Sequence, residues 1–192
     1  MRKTCVFITR TNGVGKSSIA RAFIERYGGV DRITNDVSYL RDGNISLAGR
    51  YNVRYGGVDR ITNEKGSSST ALLAGVVEEA LRNSDVVLCE GSFMNTMGLN
   101  MTNAMFKAER HLLVSLYAQP LVLYKRITER SNGKNNKGTR VWGKILKKQR
   151  QAMLSARRWQ EIGVRVIQFD TGECSIDYVC DRIIETIEEI NK

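Results

Sequence analysis

The residues best suited to chemistry lie near the amino terminus, where two glycines precede a lysine and two serines. The run Gly13-Val14-Gly15-Lys16-Ser17 matches the second half of the Walker A pattern G-x-x-x-x-G-K-[ST]. Glycines let backbone N–H groups curl around phosphate oxygens, and the amino end of a following helix adds its dipole. Lys16 would contact the β- and γ-phosphates, and the Ser17 hydroxyl would bind Mg²⁺. We predict that the loop binding ATP consists of Asn12, Gly13, Val14, Gly15, Lys16, Ser17 and Ser18.

One position of the loop departs from the full pattern. The pattern places a glycine six residues before the lysine, and this chain has Arg10 there. A glycine-rich turn with an exposed lysine is therefore the alternative interpretation. The strand-like run 4–9 before the loop and the helix-like run 17–27 after it favour phosphate binding.

A carboxylate follows the second strongly apolar run of the chain. Glu90 comes directly after residues 85–89, which read as a buried strand. Parallel sheets place their ligands at the carboxyl ends of strands. Glu90 would therefore hold the Mg²⁺ water shell with Ser17, as a Walker B acid does, and the alternative is an ordinary polar strand end.

A second carboxylate, Asp36, lies twenty residues after Lys16 and close to Arg41. This arrangement resembles that of polynucleotide kinases, in which an Asp at the tip of the second strand accepts the proton of the attacking hydroxyl. The resemblance implies Asp36 as catalytic base and Arg41 as an acceptor ligand. That family has an arginine three residues after the Asp, where this chain has Tyr39. A helix N-cap is the equal alternative for Asp36.

A ten-residue sequence occurs twice in the chain. Residues 26–35 recur unchanged as residues 54–63, 28 positions later. Two copies are too few for a repeat array, which normally needs three stacked units, so a local duplication explains them. Only the second copy is preceded by Gly49-Arg50-Tyr51.

The stretch 49–61, taken with the phosphate loop, resembles small bacteriophage P-loop kinases that phosphorylate 5-hydroxymethyluracil in DNA. Those kinases carry Gly-x-Tyr followed shortly by Gly-Gly-x-Asp, and the similarity extends to the arginine-rich segment and to the strand entry at 163–166. The resemblance implies an acceptor site in which Asp59 binds or deprotonates the hydroxyl and glycines allow a close approach of the backbone. The acceptor site would be lined by Tyr51, Gly56, Gly57 and Asp59. A plain turn repeated by duplication is the alternative.

The net charge of +10 is concentrated in one segment of the chain. Residues 121–165 hold thirteen basic side chains against two acidic ones, which leaves the rest close to neutral. We predict a basic helical lid over about 121–162, from which Arg126, Arg130 and Arg140 would neutralise charge on the transferred phosphoryl group. Its other cations would contact a DNA backbone, and a solvated helix face is the alternative.

These residues lie between alternating strand-like and helix-like segments, which predicts a single α/β domain over 1–192 with a mainly parallel sheet flanked by helices. The predicted strands are 4–9, 30–34, 45–51, 85–89, 112–117 and 164–169, and the predicted helices are 17–27, 68–83, 101–110, 121–131, 141–162 and 175–190. The chain has no apolar run of membrane-spanning length and its four cysteines form no C-x-x-C pair, so we expect a cytoplasmic protein without membrane partners.

The sequence is therefore identified as that of a P-loop kinase that uses ATP and Mg²⁺. The main interpretation is phosphoryl transfer to a hydroxyl on nucleic acid, and the phage resemblance implies duplex DNA carrying 5-hydroxymethyluracil, modified in the cytoplasm of a host cell. The alternative is a kinase of nucleosides, nucleoside monophosphates or another small metabolite. A non-catalytic nucleotide- or DNA-binding protein, with Arg10 marking a degenerate loop, is the third interpretation.

Overall fold

The computed structural model describes residues 2–9, 13–51, 57–58, 61, 69–91, 98–130 and 138–192, without the side chains of 69 and 138–140. Within these residues, strands and helices alternate along the chain, which the apolar patterns predict. In chain order the elements are β1 (Thr4–Thr9), α1 (Lys16–Arg26), β2 (Val30–Thr34), β3 (Val37–Leu40), β4 (Ile45–Ala48), α2 (Ser69–Asn83), β5 (Val86–Glu90), α3 (Leu99–Met105), β6 (Arg110–Tyr117), α4 (Pro120–Arg130), α5 (Gly138–Glu161), β7 (Arg165–Asp170) and α6 (Ile176–Asn191).

The strands form one seven-stranded sheet in the order β2-β3-β4-β5-β1-β6-β7. Strands β4, β5, β1, β6 and β7 pair in parallel, whereas β3 runs antiparallel to both β2 and β4. All six residues of β1 are buried because the strand lies between β5 and β6 and has helices over both faces. The prediction of a mainly parallel sheet flanked by helices is confirmed.

Helices cover the two faces of the sheet with separate apolar cores. On one face, α2, α3 and the carboxyl-terminal half of α5 pack against β1, and Trp159 of α5 contacts Phe7 edge to face at 6.3 Å between ring centroids. On the other face, α1, α4 and α6 pack together around residues such as Phe23 and Ile183. Both cores hold the carboxyl ends of the parallel strands in fixed positions, which is where the site lies.

The antiparallel hairpin β2–β3 was absent from the sequence prediction, which placed no strand between residues 34 and 45. The two strands are joined by Asn35 and Asp36, whose φ angles are 51° and 60°. Two consecutive left-handed residues are the signature of a type I′ hairpin turn, which Asn and Asp tolerate. Because Val37 pairs with Ala48, this turn lies at the same edge of the sheet as the carboxyl end of β4. Asp36 therefore caps no helix.

In the part of the chain that the structure describes, no helix has the length and apolarity required to cross a membrane. The four cysteines are free, and Cys5, Cys89 and Cys180 are buried. Burial raises the pKa of the Cys180 thiol to about 11, which keeps it protonated at neutral pH.

Candidate active site

The phosphate loop joins the central strand β1 to helix α1. Gly13 and Gly15 have φ angles of 87° and 90°, which side-chain-bearing residues rarely adopt. Gly15 is the N-cap of α1, and its carbonyl accepts hydrogen bonds from the amides of Ser18 and Ile19, each at 3.0 Å. Lys16, the first residue of the helix, is 8% exposed. The remaining amides at this helix end have the geometry that binds an anion.

Glu90, the last residue of β5, accepts hydrogen bonds from two sides. Its Oε1 atom lies 3.3 Å from the Ser17 hydroxyl of the phosphate loop and also 3.3 Å from the Tyr51 hydroxyl. The residue is only 5% exposed. A buried carboxylate needs such partners, because burial without them is costly. Glu90 therefore joins the phosphate loop to the segment that follows β4.

Two glycines allow close packing beside Glu90: Gly57 lies against its carboxylate, and Gly49 lies against Gly57. A Cβ on Gly57 would lie 2.5 Å from Glu90 Oε1 and 3.0 Å from the Glu90 carbonyl oxygen. A Cβ on Gly49 would lie 2.8 Å from backbone atoms of Gly57. Both glycines also have positive φ angles, 121° for Gly49 and 103° for Gly57. Close backbone packing thus explains Gly49, which begins the Gly-x-Tyr segment, and Gly57, which follows that segment.

The segment from Gly49 to Tyr51 is also bound to the antiparallel hairpin. The buried Ser38 hydroxyl donates to the Gly49 carbonyl at 2.7 Å and accepts from the Tyr51 amide at 3.0 Å. The Gly49 amide donates to the Asp36 carbonyl at 2.7 Å. The hairpin and the segment after β4 therefore form one hydrogen-bonded unit at the carboxyl edge of the sheet.

Asp36 lies in this unit and is paired with an arginine. Its Oδ1 atom accepts from Nε of Arg50 at 2.6 Å, and the exposed fractions of the two side chains are 19% and 65%. A carboxylate at this edge can accept a proton from a hydroxyl. Arg50 follows the end of β4 and lies fourteen residues from Asp36 along the chain, so the fold brings the two side chains together.

Arg126 lies in a cavity of about 200 Å³ beside the phosphate loop. Its guanidinium donates to the carbonyl of Gly13 at 3.4 Å, to Oγ1 of Thr171 at 3.2 Å and to the Thr171 carbonyl at 2.7 Å. The cavity is lined by Gly13, Val14, Gly15, Ser18, Ile19, Arg126, Thr171, Cys174, Ser175, Ile176 and Val179. A fixed planar guanidinium in such a wall can stack on a base or contact phosphate.

Several residues from the sequence prediction are placed elsewhere or lie outside the described residues. Arg41 follows β3 at the opposite edge of the sheet, where its amide donates to the Gly29 carbonyl at 3.0 Å, so the structure does not bring it to the other site residues. Arg130 ends α4 one helical turn beyond Arg126 and is exposed. Positions outside the described residues are Asn12, Gly56 and Asp59, together with the side chain of Arg140 and residues 131–137 of the lid tip, which the sequence predicts over 131–140.

The sequence reasoning did not single out Arg50, Ser38 or Thr171. Each belongs to the site through a partner distant in sequence: Asp36 for Arg50, Tyr51 for Ser38 and Arg126 for Thr171. Only the hairpin signal Asn35-Asp36, between two β-branched runs, was available to place Ser38 next to β4.

The donors at the site fit Mg²⁺. Ser17 and Glu90 supply hard oxygen atoms on adjacent elements, and Mg²⁺ is commonly held by one or two such protein ligands together with water and substrate phosphates. The absence of a side chain at Gly57 lets the Glu90 carboxylate lie against the backbone there. Ser17 and Glu90 would therefore hold the ion beside the phosphates bound by the loop.

The fold is that of P-loop kinases: a mostly parallel sheet flanked by helices, with a glycine-rich loop between the central strand and the first helix. No protein-family model matches the sequence, and no curated protein matches it. Solved structures do match over nearly the whole chain.

The YorR protein of Bacillus subtilis, solved with phosphorylated GDP, is 17% identical and superposes with a TM-score of 0.56 over 97% of this chain and 96% of its own. Shikimate kinase from Acinetobacter baumannii, solved with shikimate, is 15% identical with a TM-score of 0.55 over 97% and 94%. A gluconokinase from Sinorhizobium meliloti is 14% identical with a TM-score of 0.52 over 97% and 96%. At these identities the likeness establishes the fold.

Proposed function

We propose that the protein is an ATP- and Mg²⁺-dependent kinase that transfers the γ-phosphoryl group to a hydroxyl of a small acceptor: a nucleoside, a nucleoside monophosphate or another small metabolite. One observation carries the proposal. The hydroxyls of Ser17 and Tyr51 both donate to the Glu90 carboxylate, at the same carboxyl edge of the sheet as the Asp36–Arg50 pair. Two neighbours with this fold are named for kinases of small hydroxyl compounds, shikimate kinase and gluconokinase.

Each side chain has a defined task in this proposal. The loop amides and Lys16 bind the phosphates. Arg126 contacts the nucleotide from the wall of the cavity beside the loop. Asp36 accepts the proton of the acceptor hydroxyl while the oxygen of that hydroxyl attacks the γ-phosphorus and ADP leaves. Mg²⁺, when bound by Ser17 and Glu90, neutralises charge on the phosphates. The two Arg50 η nitrogens, which donate to no described residue, suit an acceptor with an anionic group.

Incubation with γ-labelled ATP and a panel of acceptors tests this function. The panel contains nucleosides, nucleoside monophosphates, sugars, hydroxy acids, 5′-hydroxyl oligonucleotides, and duplex DNA with or without 5-hydroxymethyluracil. We expect label on a small acceptor. Label only on duplex DNA would contradict the proposal, and ATP binding without turnover in any reaction would indicate a non-catalytic binding protein.

Lys16→Ala is the variant that tests the phosphate loop. We expect it to abolish transfer, because the lysine supplies the positive charge next to the β- and γ-phosphates. Lys192→Ala, which removes an exposed lysine at the carboxyl terminus, is the matched control and keeps full activity. Equal activity of the two variants would refute the assignment of the loop.

Duplex DNA carrying 5-hydroxymethyluracil is the second candidate acceptor, and the surface of α5 favours it. The side chains of Lys144, Lys147, Arg150 and Arg158 are exposed on this helix, and none pairs with an acidic group among the described residues. Such a cluster attracts a phosphate backbone. Trp159 is fully buried and so is not available to stack on a base.

The salt dependence of DNA binding tests this second candidate. The variant with both Lys147→Ala and Arg150→Ala removes two backbone contacts, so the slope of log K against log salt decreases in magnitude by about 2. Arg182→Ala on α6, a helix outside the basic surface of α5, is the control and leaves the slope unchanged. Salt-independent DNA binding, or no binding, would exclude DNA as the acceptor.

A further inference from the structure

Two consecutive residues, Arg50 and Tyr51, contact the two carboxylates of the site. Arg50 donates to Asp36 at 2.6 Å, and the Tyr51 hydroxyl lies 3.3 Å from Oε1 of Glu90. The sequence resemblance implied that Tyr51 binds the acceptor. The geometry instead directs its hydroxyl to the carboxylate that faces the phosphate loop.

We infer that Tyr51 is a positioning residue for Glu90. Through their separate contacts, the consecutive residues Arg50 and Tyr51 set the position of the Glu90 carboxylate relative to the Asp36 carboxylate. This inference rests on the proposed function, because it assigns Glu90 to the Mg²⁺ site. It gives Tyr51 a role in binding the metal–nucleotide complex that is separate from contact with the acceptor.

The Tyr51 hydroxyl and the Ser17 hydroxyl donate to the same oxygen of Glu90, each at 3.3 Å. Glu90 is 5% exposed, so solvent does little to fix its orientation. Hydrogen bonds from fixed hydroxyl groups therefore set the direction in which its carboxylate group points. Removal of one of them leaves the residue in place but broadens its orientation.

The backbone of Tyr51 is itself held firmly. Its amide donates to the buried Ser38 hydroxyl at 3.0 Å, and that hydroxyl donates to the Gly49 carbonyl at 2.7 Å. Gly49 in turn lies against Gly57, whose own Cα faces Glu90. The backbone from which the Tyr51 ring extends is thus held by the β2–β3 hairpin, the same unit that carries Asp36.

The test measures ADP binding by isothermal titration calorimetry at a series of Mg²⁺ concentrations, which requires no acceptor and no turnover. For Tyr51→Phe, we expect the Mg²⁺ concentration that gives half of the maximal gain in ADP affinity to rise about five- to tenfold. A hydrogen bond to a charged group usually has an effect above tenfold, and this one is weaker because its 3.3 Å length exceeds the usual O–H···O distance. The thermal midpoint of Tyr51→Phe should stay within about 2 °C of the wild type, because the ring remains.

Two further variants separate positioning from a general effect on structure. Tyr27→Phe removes another half-buried tyrosine hydroxyl, at the far end of α1, and should leave the Mg²⁺ dependence unchanged. In a Glu90→Gln background, Tyr51→Phe should have no further effect on the Mg²⁺ dependence, since the two residues act as one unit.

Each result has a distinct meaning. An unchanged Mg²⁺ dependence in Tyr51→Phe, with a wild type that responds to Mg²⁺, would overturn the inference and leave the proposed function standing. A wild type whose ADP binding does not respond to Mg²⁺ would overturn both. Equal shifts from Tyr51→Phe in the wild-type and Glu90→Gln backgrounds would also overturn the inference, because Tyr51 would then act independently of Glu90.

Discussion

Two identical ten-residue sequences differ in structure at the positions that are described in both, 29, 30 and 33 in one copy and 57, 58 and 61 in the other. In copy one, residues 26–35, the segment leaves helix α1 and forms the edge strand β2, with the half-buried Ile33 on it. In copy two, residues 54–63, the described positions lie in the core: Val58 is 0% and Ile61 is 1% exposed. The Ile61 amide donates to the Val58 carbonyl at 3.2 Å, which is the geometry of a turn.

The difference shows how surroundings select between structures that one sequence allows. Copy one has β3 beside it, and the left-handed Asn35 and Asp36 close the hairpin. In copy two, Gly57 packs against Gly49 and Glu90, and Val58 lies in the apolar core with α2. Backbone propensity is the same in both copies, so tertiary contacts decide the structure. Matched substitutions in the two copies can therefore measure those contacts directly.

The largest effect is expected at the aspartates. Asp31 of copy one is exposed, whereas Asp59 of copy two is predicted at the acceptor site and competes with Asp36 for the role of base. Of Asp36→Asn and Asp59→Asn, the variant that removes the base should lose about 10²- to 10⁴-fold in kcat. Asp31→Asn should retain full activity. Steady-state kinetics check this, and a large loss in Asp31→Asn would show that copy one takes part in catalysis.

The glycines give the next largest difference. Gly29 and Gly57 occupy equivalent positions and have φ angles of 92° and 103°. A Cβ on Gly29 meets nothing within 4 Å, whereas one on Gly57 lies 2.5 Å from Glu90 Oε1. Gly57→Ala should therefore displace the carboxylate and lower kcat/KM about a hundredfold. Gly29→Ala should cost only about 1–2 kcal/mol of stability, from backbone strain.

Comparison of the two glycine variants by kinetics and by denaturant unfolding separates activity from stability. Equal kcat/KM values would mean that Gly57 does not shape the position of Glu90. Equal stabilities are compatible with the interpretation, because both variants carry backbone strain.

The isoleucines test burial. Ile61→Ala removes a side chain that is 1% exposed and should lower the free energy of unfolding by about 3 kcal/mol. Ile33→Ala, in the half-buried edge strand, should lower it by about 1 kcal/mol. Urea unfolding measures both. A larger loss from Ile33→Ala would indicate that copy one, rather than copy two, contributes more to the core.

The smallest effect is expected at the hairpin turn. Asn35 has a φ angle of 51°. Asn35→Ala should cost about 1 kcal/mol, because alanine tolerates the left-handed region less well. Asn35→Gly is the control and should leave the stability unchanged or slightly higher. Equal stability of the two variants in a thermal melt would contradict a type I′ turn at this position.

Much of the architecture followed from local patterns. The apolar runs predicted β1 and β5, and the periodic segments predicted helices that match α4 and α5 within a few residues. The runs are reliable because strands buried on both faces must be continuously apolar. The hairpin was missed because β3 is a four-residue strand without alternation, Val37–Leu40, and its four residues are all buried.

The candidate site divides in the same way. The phosphate loop and Glu90 were recognisable because each follows a strand directly and chain direction alone places it at the carboxyl edge. Arg41 was predicted at the site, but β3 runs antiparallel and carries it to the other edge of the sheet. Arg126 was expected in a mobile lid, and its contacts with Gly13 and Thr171 depend on how α4 packs beside the end of β7.

The sequence by itself determined the elements whose signals are local: the strand, glycine-rich loop and helix of the phosphate-loop motif, the parallel core strands and the basic segment. Tertiary structure alone decided that Arg50 pairs with Asp36 and that Tyr51 reaches Glu90. It also decided that Ile33 of one decapeptide lies on an edge strand whereas its counterpart Ile61 is buried in the core. The physical reason is that glycine turns and apolar periodicity act between neighbours in the chain. Hydrogen bonds and burial depend on partners that only the completed sheet brings together.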